Sequence, residues 1–170
     1  MQGMQLEFVV KKTNQQQSYL AISMTGNVMQ KQVVNKDKGY AEEQGQHIDL
    51  SGSELEEALN DSNIFAEIGL DPSSVKASIT DVNVVATYEL AVSVTKSFFY
   101  NQEKFLKIKI SETQEVKGNE VTQETLLGDY RAVDGILFPH KTTKSLGPQA
   151  VDFITQSIEL NGPIDAMDFN

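Results

Sequence analysis

The sequence of 170 residues contains no cysteine and no tryptophan, and it has 14 lysines and arginines against 24 aspartates and glutamates. Without cysteine the chain can form neither a disulfide nor a zinc–thiolate site. The net charge of −10 and the pI near 4.6 disfavour nucleic acid and anionic membrane surfaces as partners. Both of these would repel an acidic protein.

Long apolar runs are missing as well. None approaches the roughly 20 residues that a membrane-spanning helix needs, and residues 1–20 hold no apolar segment of signal-peptide length. The alternating pattern of a strand begins within the first residues, without a polar leader. We therefore expect a chain that does not span a membrane, and we interpret residues 1–170 as one domain and as a fragment of a longer protein.

Patterns for catalysis and metal binding are also scarce. The histidines are His47 and His140, and no Gly-x-Ser-x-Gly, His-Glu-x-x-His or His-x-x-Glu-His accompanies them. The aspartates lack the spacing of a calcium loop. A glycosidase would need two carboxylates brought together by folding, and the sequence singles out no pair. We expect no cofactor, no metal and no enzymatic activity for this chain.

Apolar and polar residues alternate with a period of two along most of the chain, which is typical of half-buried antiparallel strands. The pattern is clearest over residues 87–95, where Tyr88, Leu90 and Val92 share one face. Turns with Gly, Asn or Asp separate about ten such segments and predict a meander. The other predicted strands are residues 4–10, 20–24, 28–35, 40–44, 75–81, 97–100, 105–116, 121–131, 136–145 and 150–160, the last with a bulge near Phe153.

Residues 51–72 depart from the alternation and predict a helical excursion between strands. Ser51 and Glu54 match a capping box, and Leu50 and Leu55 occupy the positions of a hydrophobic staple. An apolar helical face follows. A sheet of this size can close as a barrel, pack as a sandwich, or curve into a half-barrel covered by helical segments. The inserted helix favours the half-barrel.

Phenylalanines and methionines recur on the predicted strands and fit two interpretations. They could line an apolar cavity, whose walls methionine makes adaptable. Alternatively, they could fill a packed core, which is the more common place for such residues.

Residues 128–139 carry the pattern Asp-Tyr-basic-x-Val-Asp-Gly-Ile-x-Phe-Pro. Together with residues 123–125, the opening segment, residues 33–40 and the stretch 161–169, this pattern resembles the LolA-like proteins of Gram-negative envelopes, a group related to outer-membrane lipoprotein sorting. Similar segments also form the C-terminal domain of envelope proteins related to insulinase-type zinc peptidases. The resemblance spans essentially the whole chain, but the N-terminal amphipathic helix common in the family is missing from it.

The resemblance implies a mainly β (α+β) fold, a curved antiparallel half-barrel of about ten strands with a short helical lid. It implies a periplasmic, cell-envelope or secreted module that binds a hydrophobic or acylated ligand in an apolar cavity, as a carrier would. The alternative is a non-catalytic accessory or interaction domain of a larger envelope protein, with any zinc-peptidase activity in another domain. A protein partner and a homodimer through exposed strand edges are further expectations.

The resemblance and the alternation together name candidate residues for this binding site. The cavity candidates are Met4, Leu6, Phe8, Leu20, Ile22, Met24, Tyr88, Leu90, Val92, Phe105 and Phe138. The lid candidates are Leu55, Leu59, Ile64 and Phe65.

Overall fold

Antiparallel strands make up most of the protein. The structure is a computed structural model that describes residues 5–65, 67, 70–73, 75–82, 85–91, 95–116, 118–146 and 149–170. Within these ranges there are twelve β-strands, one α-helix and one 3-10 helix. The chain divides into two units, Met1–Gly69 with Pro163–Asn170 and Leu70–Gly162.

The first unit contains a five-stranded antiparallel sheet whose strands follow one another in chain order. Its hairpins are tight because two consecutive residues at a turn take positive φ, as in Thr25-Gly26 and Gln44-Gly45. The pairing of β2 with β3 shifts register between Ile22 and Ser23. The strands are β1 (Glu7–Lys12), β2 (Gln17–Met24), β3 (Asn27–Asn35), β4 (Lys38–Glu43) and β5 (Gln46–Asp49).

Helix α1 (Gly52–Ser62) follows β5 and packs on β3 and β4. Ser51 is the N-cap residue, as predicted, but its side chain makes no capping hydrogen bond, so the predicted capping box is wrong. The staple residues do meet the sheet at one point. A Cβ added to Gly39 would lie 3.1 Å from Leu50 Cδ1 and 3.3 Å from Leu55 Cδ1.

The C-terminal tail, residues 163–170, belongs to the first unit although the second unit precedes it in the chain. Its 3-10 helix, Ala166–Phe169, contacts β2 and β3. Phe169 is 3% exposed, and Lys11 Nζ forms an ion pair with Asp168 Oδ2 at 2.7 Å. A buried ring and an ion pair thus help to fix the tail to the sheet, together with hydrogen bonds from Asn35 Nδ2 to the Phe169 oxygen and from the Tyr40 hydroxyl to the Asn170 oxygen.

The second unit is a seven-stranded antiparallel sheet, also in chain order. Its two longest strands, β10 (Asn119–Val133) and β11 (Ile136–Leu146), carry the segment that resembles LolA-like proteins. The two-residue turn Asp134-Gly135 joins them, with positive φ at both residues. The strands are β6 (Lys76–Val82), β7 (Val85–Ala91), β8 (Lys96–Asn101), β9 (Lys107–Val116), β10 (Asn119–Val133), β11 (Ile136–Leu146) and β12 (Gln149–Ile154).

Three sequence-based expectations are corrected by the structure. Strand β5 was not predicted, because its four residues are all exposed and show no apolar alternation. The last strand ends at Ile154 rather than at residue 160. It pairs with β11 without a register shift, so the bulge near Phe153 is wrong and the change of parity simply follows the end of the strand. Of the predicted strand 87–95, residues 92–94 lie outside the described residues.

Candidate functional site

One face of the five-stranded sheet gathers most of the predicted cavity residues of the first unit. Pairing places Phe8 opposite Ile22, and Ile22 opposite Gln30. Two positions along the same strands, Val10 lies opposite Leu20. Alternation puts these residues on the same face as the Gly39 contact with α1, and we call it the helix-side face.

Helix α1 covers only one end of the helix-side face. Val34 at that end is completely buried, whereas Phe8, Val10 and Ile48 lie farther from the helix in the pairing register and are exposed. A sheet face that is apolar and uncovered offers binding surface, since apolar area there is still in contact with water.

The uncovered end of the helix-side face contains a shallow, open depression of about 360 Å³. Its volume falls at the lower end of the range of small-molecule sites. Gln30 Nε2 donates a hydrogen bond to Glu43 Oε1 at 2.9 Å beside it. The lining residues are Leu6, Ile22, Met24, Met29, Gln30, Glu43 and Gln44.

The structure therefore brings five of the cavity candidates onto or beside one surface, and three of them line the depression. The candidate Met4 lies outside the described residues. The polar members Glu43 and Gln44 were not predicted as site residues, because a polar residue at the end of a strand carries no periodic signal. The gathered candidates are Leu6, Phe8, Leu20, Ile22 and Met24.

The cavity candidates of the second unit do not form one cluster. Leu90 pairs with Phe98, and Tyr88 stacks on Phe105 with ring centroids 6.1 Å apart. Phe138 is on β11, four strand spacings from β7, or about 19 Å along the sheet. Val92 lies outside the described residues.

The four lid candidates separate into two pairs. Leu55 and Leu59 are half-buried on α1, and Leu55 meets the sheet at Gly39. Ile64 and Phe65 come after the end of the helix and are exposed. Leu55 and Leu59 thus lie on the helix that covers part of the face. Ile64 and Phe65 add exposed apolar surface after the helix ends.

The end of α1 is tied to the first strand by a lysine. Lys12 Nζ donates hydrogen bonds to the backbone oxygens of Asp61 and Asn63, the latter at 3.2 Å. A cation at this position also interacts favourably with the negative end of the helix dipole. Because Lys12 is in register with the buried Val34, the contact holds α1 at the covered end of the face.

The two histidines lie in different surroundings. His47 is exposed, stacks on Tyr40 with centroids 4.5 Å apart, and pairs with Asp49 at 3.1 Å. His140 is buried, with Nδ1 3.1 Å from the backbone oxygen of Phe138. Across the described ranges, no group of three or more His, Asp or Glu side chains is placed to hold a metal ion.

A helix long and apolar enough to cross a membrane is not found in the part of the chain that the structure describes.

Two antiparallel meanders, separated in the sequence by one short helix, define a mainly β fold. The fold is LolA-like: the crystal structure of a LolA superfamily protein from Nitrosomonas europaea matches 97% of this chain and 81% of that chain, with a TM-score of 0.64 and 14% sequence identity. No family model and no curated protein matches the sequence.

This match confirms, at the level of fold, both the resemblance and the mainly β fold class predicted from the sequence. The strand number is corrected from about ten to the twelve seen in the described ranges. The accessory-domain alternative, including its link to zinc peptidases, gains no support from the match and stays a prediction.

Proposed function

We propose that this protein is a carrier-type module of the cell envelope that binds the acyl chains of a lipid or of a lipid-modified protein. The observation that carries the proposal is the uncovered apolar helix-side face in a protein with a LolA-like fold. In this proposal the site candidates on that face contact the acyl chain, and no catalytic step is part of the function.

The energetics of an alkyl chain suit such a surface. Each methylene group removed from water contributes about 0.8 kcal/mol, so six of them supply about 5 kcal/mol before the cost of association is subtracted. The depression is open rather than enclosed, so a long chain would be only partly covered. We expect reversible binding, as a carrier that must release its ligand requires. Met24 and Met29 give its wall side chains that adapt to different chains.

The proposal is tested first by native mass spectrometry of the protein purified gently from bacterial cells, followed by denaturation to identify any co-purified molecule. A discrete mass containing acyl chains is the expected result. Thermal stabilisation by an added probe with an alkyl chain and an uncharged head group gives a second readout, because a ligand that binds only the folded state raises the melting temperature.

A matched pair of variants locates the binding surface. Phe8 and Val9 are neighbours on β1 with similar exposure, 41% and 38%, but they lie on opposite faces of the sheet. Phe8→Ser is expected to weaken binding of an alkyl probe by about tenfold, since an aromatic contact surface is lost, whereas Val9→Ser leaves it unchanged. Equal effects of the two substitutions, or no binding by the unmodified protein, would refute the proposal.

A further inference from the structure

The open depression on the helix-side face carries one charge. Of the described residues that line it, Glu43 is the one with an ionisable side chain, and the rest are apolar or amides. The Glu43 carboxylate accepts a hydrogen bond from the Gln30 amide at 2.9 Å. Gln30 is the cross-strand partner of both Glu43 and Ile22, so this hydrogen bond holds the carboxylate on the side of Ile22. An apolar wall and a fixed negative group therefore lie side by side.

The lysine nearest in the pairing register does not neutralise this charge. Lys31 is next to Gln30 on β3, but alternation places it on the opposite face, where its Nζ is 3.4 Å from Glu42 Oε1 and 5.1 Å from the centre of the Tyr40 ring. Lys12 is engaged at the end of α1. The whole chain adds a net charge of −10 to this local field.

From this arrangement we infer that the depression selects amphiphiles whose head group is cationic, with an ammonium group beside Glu43 and the alkyl chain along Leu6, Ile22 and Met24. Fatty acids and other amphiphiles with an anionic head are disfavoured, because their charge would approach the Glu43 carboxylate. The inference rests on the proposed function, since it specifies the head group of a ligand whose chain binds that same face.

Three probes with one alkyl chain separate the head group from the chain. Dodecyltrimethylammonium, dodecyl maltoside and dodecanoate are titrated into the protein by calorimetry, each below its critical micelle concentration and at low salt. We expect the cation to bind about two- to fivefold tighter than dodecanoate, with the maltoside between them, which is the upper part of the range for an exposed charge interaction. Raising the salt to physiological strength reduces the ratio, because the Debye length shortens to about 8 Å.

Two isosteric variants separate the local carboxylate from the overall charge. Glu43→Gln and Glu42→Gln lower the net negative charge by the same amount and lie next to each other on β4, but only Glu43 lines the depression. Glu43→Gln is expected to remove most of the preference for the cation, and Glu42→Gln to retain it.

The outcomes distinguish the inference from the function. Equal affinities for the three probes, tighter binding of dodecanoate, or a preference that survives Glu43→Gln would overturn the inference while leaving an alkyl-binding module. Failure of all three probes to bind would overturn the proposed function and this inference with it.

Discussion

At the scale of single residues, Gly39 lies where side chains at the start of α1 come close to the first sheet. A Cβ at this position would lie 3.1 Å from both Leu50 Cδ1 and the Val33 backbone oxygen, and 3.3 Å from Leu55 Cδ1. The two side chains can shift slightly, but the carbonyl oxygen is held in the sheet. Gly39→Ala is therefore expected to lower the free energy of unfolding by about 1 to 2 kcal/mol, as overpacking does, measured by urea denaturation.

Gly128 provides the matched control for that substitution. It is also in a strand and does not take positive φ, but a Cβ there would meet no atom within 4 Å. Gly128→Ala is expected to change stability by less than about 0.5 kcal/mol or to raise it, because alanine restricts the unfolded chain more than glycine does. If the two variants are equally stable, α1 does not approach the sheet as closely as described.

The ion pair between Lys11 and Asp168 is expected to make the stability of the protein depend on pH. The hydrogen bond to Asp168 and the nearby negative charge raise the pKa of Lys11 above its ordinary value. Since the folded-state pKa is raised, the contribution of this pair to stability is complete below pH about 10.4 and is lost as the pH rises through the higher folded value. We expect the loss to be about 0.5 to 1 kcal/mol, because the pair is partly exposed.

The pH effect is measured by comparing the protein with its Lys11→Met variant at pH 8 and pH 11.5. Other lysines and tyrosines titrate in both proteins, so their contribution cancels in the difference. The stability advantage of lysine over methionine is expected to shrink between the two pH values. An advantage that stays constant would show that the ion pair does not stabilise the tail.

At the scale of elements, the C-terminal tail offers the sharpest contrast between two neighbouring side chains. Phe169 is 3% exposed and Met167 is 77% exposed, although both belong to the same 3-10 helix. Phe169→Ala is expected to cost about 3 kcal/mol of unfolding free energy, whereas Met167→Ala changes it by less than about 0.5 kcal/mol.

Hydrogen exchange places the Phe169→Ala effect within the molecule. Because the tail contacts β2 and β3, amides in these strands are expected to exchange faster in the variant. Strands β9 to β11 belong to the other unit and serve as the internal reference. Uniformly faster exchange in both units would contradict a local role of the tail.

The tail also shows why some elements could not be predicted from the sequence. Its position depends on contacts between distant residues, such as the hydrogen bond from Asn35 Nδ2 to the Phe169 oxygen, which joins positions 134 residues apart. By contrast, the start of α1 at Ser51 and most strands were predictable, because they follow from local patterns such as alternation and the staple. The short polar strand β5 has no such pattern.

The candidate site residues stay a prediction, but the same local patterns bear on where they lie. Alternation predicts that Ile22 and Met24 share one face of their strand, and the pairing of β1 with β2 places Phe8 opposite Ile22. Glu43 was not predicted, because its importance comes only from facing the depression after β4 pairs with β3. Composition alone could not show which apolar side chains stay uncovered, since that depends on where α1 ends.

At the scale of the whole molecule, charge is expected to govern stability. With 24 acidic and 14 basic side chains, the folded chain repels itself at pH 7. Sodium chloride at half-molar concentration is therefore expected to raise the melting temperature at pH 7 by about 3 °C, and to have little effect near the pI of about 4.6. Calorimetry at both pH values checks this, and an equal salt effect at both would point to a cause other than net charge.

Below the pI, acid is expected to lower the melting temperature. Hydrogen bonds from Arg131 and Lys141 lower the pKa values of Asp129 and Asp152, respectively, with Thr143 adding a second bond to Asp152. Since these folded-state pKa values are lowered, the two carboxylates stabilise the protein fully above pH about 3.9 and cease to do so as the pH falls through their folded values. Melting temperature should thus rise from pH 7 toward pH 5 and fall below pH 4. Asp152→Asn should flatten the fall in melting temperature, because the variant has no carboxylate at this position to protonate.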